Sequence, residues 1–190
     1  QQQPQQHQPL LIFTYGTLKS DQPNGFRMQQ IGAKLLGTAK TVKPYPLVIA
    51  SEYNIPALLD YQGRGHRVQG ELYAVRDSTR VDEFEGHPEQ YRRAKIIVEL
   101  IELAKTPGAE SEFGAGIGGS GSIECDCYFL QRPREHLLLL PTVPRYYDGV
   151  LGLPFMPRII GPSAINRRQE IMAQMQHPKG CDRVEETATS

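Results

Sequence analysis

Short apolar runs separated by turn residues dominate the chain, and few segments carry helical spacing. Leu10-Leu11-Ile12-Phe13-Thr14 is a β-branched and aromatic run that ends at Tyr15-Gly16, which predicts a buried strand running into a turn. Residues 21–25 read as a loop and 26–31 as a helical turn. Residues 35–42 and 45–50 read as strands, the second with Pro46 near its start, where a missing N–H is tolerated. Residues 54–59 read as a turn into a short strand. Residues 68–75 alternate, with Val68, Leu72 and Ala74 on one face and Gln69, Glu71 and Tyr73 on the other.

Asp77 is placed to N-cap a short helix carrying Val81 and Phe84 on one side, and Gly86 stands where a terminating glycine belongs. Residues 91–103 form a long β-rich segment. Its run Ile96-Ile97-Val98 does not alternate, which suggests a bulge or burial on both faces. A Gly/Ser/Ala-rich stretch without periodicity, about residues 105–121, predicts a flexible hairpin insertion, and 122–131 the returning strand. Residues 133–162, rich in Pro and Gly, read as an ordered wrap over the core. Residues 163–174 read as a capped helix and 177–190 as a loose tail. The Gln/Pro-rich start, residues 1–9, is low in complexity and has nothing to pack with. The expected organisation is one domain over residues 10–160, followed by a C-terminal helix and tail over 161–190. Many short strands with a few short helices predict an α+β fold: a small mixed sheet, mainly antiparallel, barrel-like and flanked by short helices. Connections such as 54–56 are too short for parallel crossovers.

Lys+Arg and Asp+Glu number 21 each, and no basic stripe is interleaved with aromatics, so a nucleic-acid partner is not expected. No apolar stretch approaches the roughly 20 residues that span a bilayer, so no membrane partner is expected either. Cys125, Cys127 and Cys181 make no disulfide framework, which points to a reducing, cytoplasmic setting. Cys125 and Cys127 share a strand face with Ile123 and Phe129 and read as small buried apolar residues. The chain opens on Gln rather than Met, which leaves an upstream segment open. The five histidines (His7, His66, His87, His136, His177) are scattered without carboxylates at ligand spacing, and no metal or cofactor is expected.

Two features carry candidate chemistry. Tyr15-Gly16-Thr17-Leu18 closes the first strand, and successive amides in such a turn can form a concave anion nest; as four letters alone it is equally a plain strand-to-turn transition. Glu85 sits in the last turn of its helix beside Phe84, without a basic neighbour in sequence. The negative helix end and an apolar setting would both raise its pKa, as a general base working near neutrality requires. The alternative is an ordinary surface glutamate. Tyr91 and Tyr128 could orient a substrate through hydroxyls that do not compete as ions, or could simply supply core area.

Taken together these residues resemble the γ-glutamylcyclotransferase-like superfamily, and within it the animal γ-glutamylamine cyclotransferase branch related to plant AIG2-like proteins. The resemblance runs through Phe13-Thr14-Tyr15-Gly16-Thr17-Leu18-Lys19, Gln22-Pro23-Asn24, Pro44-Tyr45-Pro46-Leu47-Val48-Ile49-Ala50 and Asn54-Ile55-Pro56-Ala57-Leu58-Leu59. It continues through residues 68–75, Asp82-Glu83-Phe84-Glu85, Tyr91-Arg92-Arg93 and Tyr128. The Gln-rich start, the insertion and the segment after Gln131 depart from it. The resemblance implies a small γ-glutamyl substrate and release of 5-oxo-L-proline with a free amine, of which the ε-amine of lysine is one. It assigns proton acceptance to Glu85 and substrate binding to Tyr15, Gly16, Thr17, Leu18, Tyr91 and Tyr128. Other γ-glutamyl amino acids or glutathione as substrates, and a non-catalytic interaction module, remain open at this point, as does the oligomeric state.

Overall fold

The structure is a computed structural model that describes residues 9–109, 121–157 and 162–179. The Gln/Pro-rich start (1–8), the centre of the insertion (110–120), residues 158–161 and the tail (180–190) lie outside the described residues. Strands β1 (Leu10–Thr14), β2 (Lys34–Thr41), β5 (Gln69–Val75), β6 (Tyr91–Leu103) and β7 (Ser122–Leu130) close into a barrel in the order β1-β5-β2-β6-β7. Every neighbouring pair is antiparallel except β1 and β7, which close the barrel in parallel at Ile12 and Asp126. Strands β3 (Leu47–Ala50) and β4 (Ile55–Leu58) form a separate hairpin. Helices α1 (Phe26–Gln30), α2 (Thr79–Glu85) and α3 (Pro162–Met175) flank the sheet, giving the mainly antiparallel α+β barrel that the sequence predicts.

Strand alternation divides the apolar residues between two cores. Phe13, Leu72, Ala74, Val98, Cys125, Cys127 and Phe129 fill the barrel, where burial pushes the Cys125 thiol up to about 12. Ile12, Tyr73, Val75, Tyr128 and Leu130 face outward, under Val81 of α2 and Ile171, Met172 and Met175 of α3. A sheet covered on both faces buries both alternating sets of side chains, so a position on the outer face no longer means solvent.

That second layer also covers Glu71, which alternation places on the face of Gln69 and Tyr73 and which is only 8 % exposed. Its carboxylate accepts the Ser20 amide at 2.7 Å, the Ser20 hydroxyl at 2.6 Å and the Tyr73 hydroxyl at 2.8 Å, so its burial is matched by donors. The run Ile96-Ile97-Val98 has no bulge. Ile97 faces solvent between two buried neighbours, in unbroken register with Glu124, and the irregularity lies further along the same strand, where Leu100 and Glu102 pair with Ala39 and Thr38 and Ile101 is passed over. Asp77 does not cap α2 from the expected place. Ser78 occupies the cap without a side-chain bond, and Asp77 Oδ1 accepts the Thr79 amide at 2.9 Å from one residue further out.

Candidate active site

The chain leaves the barrel at Thr14, and four tethers hold the loop that follows. The Tyr15 hydroxyl donates to the Tyr128 carbonyl at 2.9 Å. Asn24 Nδ2 donates to Thr17 Oγ1 at 3.0 Å while its amide donates to the Thr17 carbonyl at 2.8 Å. Lys19 runs inward, 3 % exposed, and donates its ammonium to the Tyr146 carbonyl at 2.7 Å, with burial lowering its pKa. Ser20 is held by Glu71 as described. So constrained, the turn leaves the amides of Gly16, Thr17 and Leu18 without an acceptor among the described residues. Gly16 is not in a left-handed conformation. Its constraint is Pro56, whose Cγ would lie 3.0 Å from a Cβ at position 16. Close approach, and not a positive φ, is what glycine supplies here.

Glu85 is the last residue of α2, which terminates because Gly86 turns left-handed at φ 66°. The helix packs through buried Val81 and leaves Glu85 half-buried. Tyr91 and Tyr128 come together because β6 and β7 pair Tyr91 with Leu130 and Arg93 with Tyr128, making the two tyrosines diagonal neighbours on one face. The Tyr128 hydroxyl donates to Asp82 Oδ1 at 2.6 Å, and Arg93 Nε stands 3.5 Å from the same oxygen. Asp82 and Glu85 therefore occupy adjacent turns of one helix, the first gripping Tyr128. Burial, followed by the Asp82 hydrogen bond and the Asp82 and Glu85 charges, raises the Tyr128 pKa. The Tyr15 pKa is likewise raised, by burial first and then by Tyr91 and Glu85. Both phenols stay protonated, and the Glu85 carboxylate is close enough for its charge to act on each.

These elements enclose a cleft of about 550 Å³ that opens to solvent. Tyr15, Gly16, Thr17, Leu18, Glu85, Tyr91 and Tyr128, named from the sequence for different reasons, all border it. The Tyr15 and Tyr128 hydroxyls are committed to protein acceptors, so these two contribute ring faces and backbone. Sequence reasoning assigned no role to Asn24, Pro56 or Phe155, which line the cleft as well. Asn24 and Pro56 stand in stretches that carry the resemblance. Phe155 lies in a region with no periodicity to betray it. Among the described residues no cluster of His, Cys, Asp and Glu could hold a metal ion, and no helix is long and apolar enough to cross a membrane.

One cleft of the barrel is thus bordered both by the turn whose amides at residues 16–18 have no acceptor among the described residues and by the helix-end carboxylate of Glu85. The chain belongs to the gamma-glutamyl cyclotransferase, AIG2-like family, whose model matches residues 12–144. It is 45 % identical over 155 residues to the gamma-glutamylaminecyclotransferase of Homo sapiens, covering 78 % of this chain and 97 % of that protein. The protein of the same name from Rattus norvegicus is 40 % identical over 77 % of this chain and 96 % of its own. Among solved structures, an AIG2-like protein from Mus musculus superposes with a TM-score of 0.68 at 36 % identity, over 80 % of this chain and 98 % of that one.

Proposed function

We propose that this protein is a γ-glutamylamine cyclotransferase, which converts an L-γ-glutamyl amine into 5-oxo-L-proline and the free amine, with L-γ-glutamyl-ε-L-lysine as the preferred substrate. The observation that carries the reading is the pairing, across one cleft, of the open amides of residues 16–18 with the Glu85 carboxylate. The names of the similar human and rat proteins support a γ-glutamylamine as the substrate class.

In this reading the amides hold the substrate's α-carboxylate, and fixing that end folds the flexible glutamyl chain so that its α-nitrogen meets its γ-carbonyl carbon. Such positioning converts a floppy chain into a near-attack conformer. Glu85 takes a proton from the α-ammonium, since only the free amine is nucleophilic. The new N–C bond closes the five-membered ring, and the tetrahedral centre collapses as the amide C–N bond breaks. The proton held by Glu85 passes to the departing nitrogen, and Glu85 then takes the second proton from the ring nitrogen as that becomes the lactam N–H. That proton follows the released amine, which leaves as its ammonium, so atoms and charge balance without added water. Tyr91 and Tyr128 form the wall against which the ring closes. A reducing cytoplasm suits the unpaired, buried Cys125 and Cys127.

Purified protein incubated with γ-glutamyl-ε-lysine, γ-glutamyl-alanine and glutathione should release 5-oxoproline fastest from the first. Glu85→Gln is nearly isosteric and removes the basic oxygen. We expect it to lower kcat by at least about a hundredfold, the ordinary scale of a lost general base, with KM little changed. Retention of more than about a tenth of wild-type kcat, roughly 1.4 kcal/mol, would remove Glu85 from the role. Release from glutathione in preference to the lysine compound would move the enzyme to another branch of the family's chemistry.

A further inference from the structure

A second recess of about 410 Å³ adjoins the cleft and shares two of its walls, Leu18 and Phe84. Its floor is apolar, with Met28 1 % and Val81 3 % exposed, yet its lining includes two arginines, Arg27 and Arg80. Arg27 lies directly over the partition, its guanidinium carbon 4.7 Å from the centre of the Phe84 ring, and its Nε is 3.5 Å from Oδ1 of Asn24, which lines the cleft. Arg80 stands one turn before Phe84 on α2 and is exposed, with no carboxylate within ion-pair distance among the described residues. Two cations flanking an apolar recess select a ligand with an alkyl stem and an anionic end. A guanidinium suits a carboxylate because it offers paired donors in a plane.

The cyclotransferase reading, on which this inference rests, says which end of the substrate arrives there. Glu85 must reach the leaving nitrogen as well as the attacking one, so the scissile amide lies beside it. The glutamyl carboxylate is directed to the amides of residues 16–18. The amine half is what remains, and Phe84, adjacent to Glu85 in the chain, is the partition it must pass. We infer that the recess is the leaving-amine subsite: the alkyl stem of the amine lies along Leu18 and Phe84, and its terminal carboxylate is received between Arg27 and Arg80. These arginines are then specificity-determining residues, favouring amines that carry a distal carboxylate, such as the lysine ε-amine, over neutral amines of equal length.

The test compares γ-glutamyl-ε-lysine with the compound in which only the lysine carboxylate is replaced by a carboxamide. In the wild-type protein kcat/KM should favour the carboxylate by roughly fivefold or more at low ionic strength, mainly through KM, and the preference should shrink in salt because both arginines are near the surface. The double variant Arg27→Gln/Arg80→Gln should reduce that preference to about twofold or less, and Arg27→Lys should keep part of it. A merely structural role for Arg27 would change both substrates alike and leave the ratio intact. Equal KM for the two compounds in the wild-type protein, or a ratio unmoved by the double variant, overturns the subsite while leaving the cyclotransferase reading in place. Failure to release 5-oxoproline from either compound overturns both, and Glu85→Gln, inactive on both compounds, confirms that the turnover compared is that of this site.

Discussion

A methyl group at position 16 would meet the Pro56 ring at 3.0 Å, tighter than ordinary packing allows, in the turn whose amides have no acceptor among the described residues. Either the β3–β4 hairpin shifts or the turn does, and only the second disturbs the proposed anion site. Overpacking of this kind typically costs about 1–3 kcal/mol, and a proline ring yields little. We expect Gly16→Ala to lose roughly 1 kcal/mol of stability and to raise KM at least several-fold, whereas Thr17→Ser, which keeps the hydroxyl that receives Asn24, should be mild. Converting the substrate's α-carboxylate to an amide should raise wild-type KM about tenfold or more, since a hydrogen bond to a charged acceptor is worth roughly 1.5–3 kcal/mol. Equal KM for the acid and the amide would withdraw the anion role of the turn. The residues that could be picked out from sequence at this scale, Tyr15 to Leu18 and Glu85, each carry a local signal: an apolar run broken by Gly, and an acid next to a helix-ending Gly. Pro56 and Phe155 carry none, because what brings them to the cleft is contact across distant segments, and Asn24 is set by loop bonds to Thr17 that no periodicity announces.

At the scale of elements, alternation made β5 and β7 legible and β-rich apolar runs made β1 and β6 so, and with them the barrel. What alternation could not reveal is what covers each face. Polar Glu71 on β5 lies under a second layer, whereas apolar Ile97 on β6 faces solvent. Strand β7 shows the consequence for titration. Burial raises the thiol pKa of Cys127 well above its ordinary 9.0 and that of Cys125 to about 12. Unfolded, both thiols ionise from about pH 9, so above that pH the unfolded chain binds fewer protons than the folded one, and stability falls as pH rises toward 12. Buried Tyr15, Tyr73, Tyr128 and Tyr146, all with raised pKa, add in the same direction above pH 10. Urea unfolding at pH 8 and pH 10 should therefore show a clear alkaline loss. Cys125→Val/Cys127→Val should reduce the loss, leaving the tyrosine part. A stability unchanged between the two pH values would contradict the burial of these groups.

At the scale of the whole molecule, the cleft is finished by a segment far from the barrel in sequence. Residues 146–156 bring Phe155 to the cleft and are fastened at three points: Lys19 to the Tyr146 carbonyl at 2.7 Å, Gln22 Oε1 to the Asp148 amide at 2.8 Å, and Asn54 Nδ2 to the Pro154 carbonyl at 2.7 Å. Within it Asp148 Oδ1 accepts the Phe155 amide at 2.7 Å, which sets the ring on the cleft. All but the first of these contacts are exposed, so each adds little to stability, and their shared effect is to aim one aromatic wall. The same loop that presents the amides also holds this strap, through Lys19 and Gln22, so the two sides of the cleft are built on one foundation. Asp148→Ala removes an exposed acceptor and Phe155→Ala removes the wall itself. We expect both to raise KM for γ-glutamyl-ε-lysine, roughly threefold and tenfold respectively, with kcat changed less and the melting temperature of Asp148→Ala within about 2 °C of wild type, as a surface substitution within roughly 0.5 kcal/mol implies. Michaelis parameters from 5-oxoproline release decide it. If KM stays within twofold of wild type in both variants, the strap is cover for the core beneath it and the substrate does not lean on Phe155.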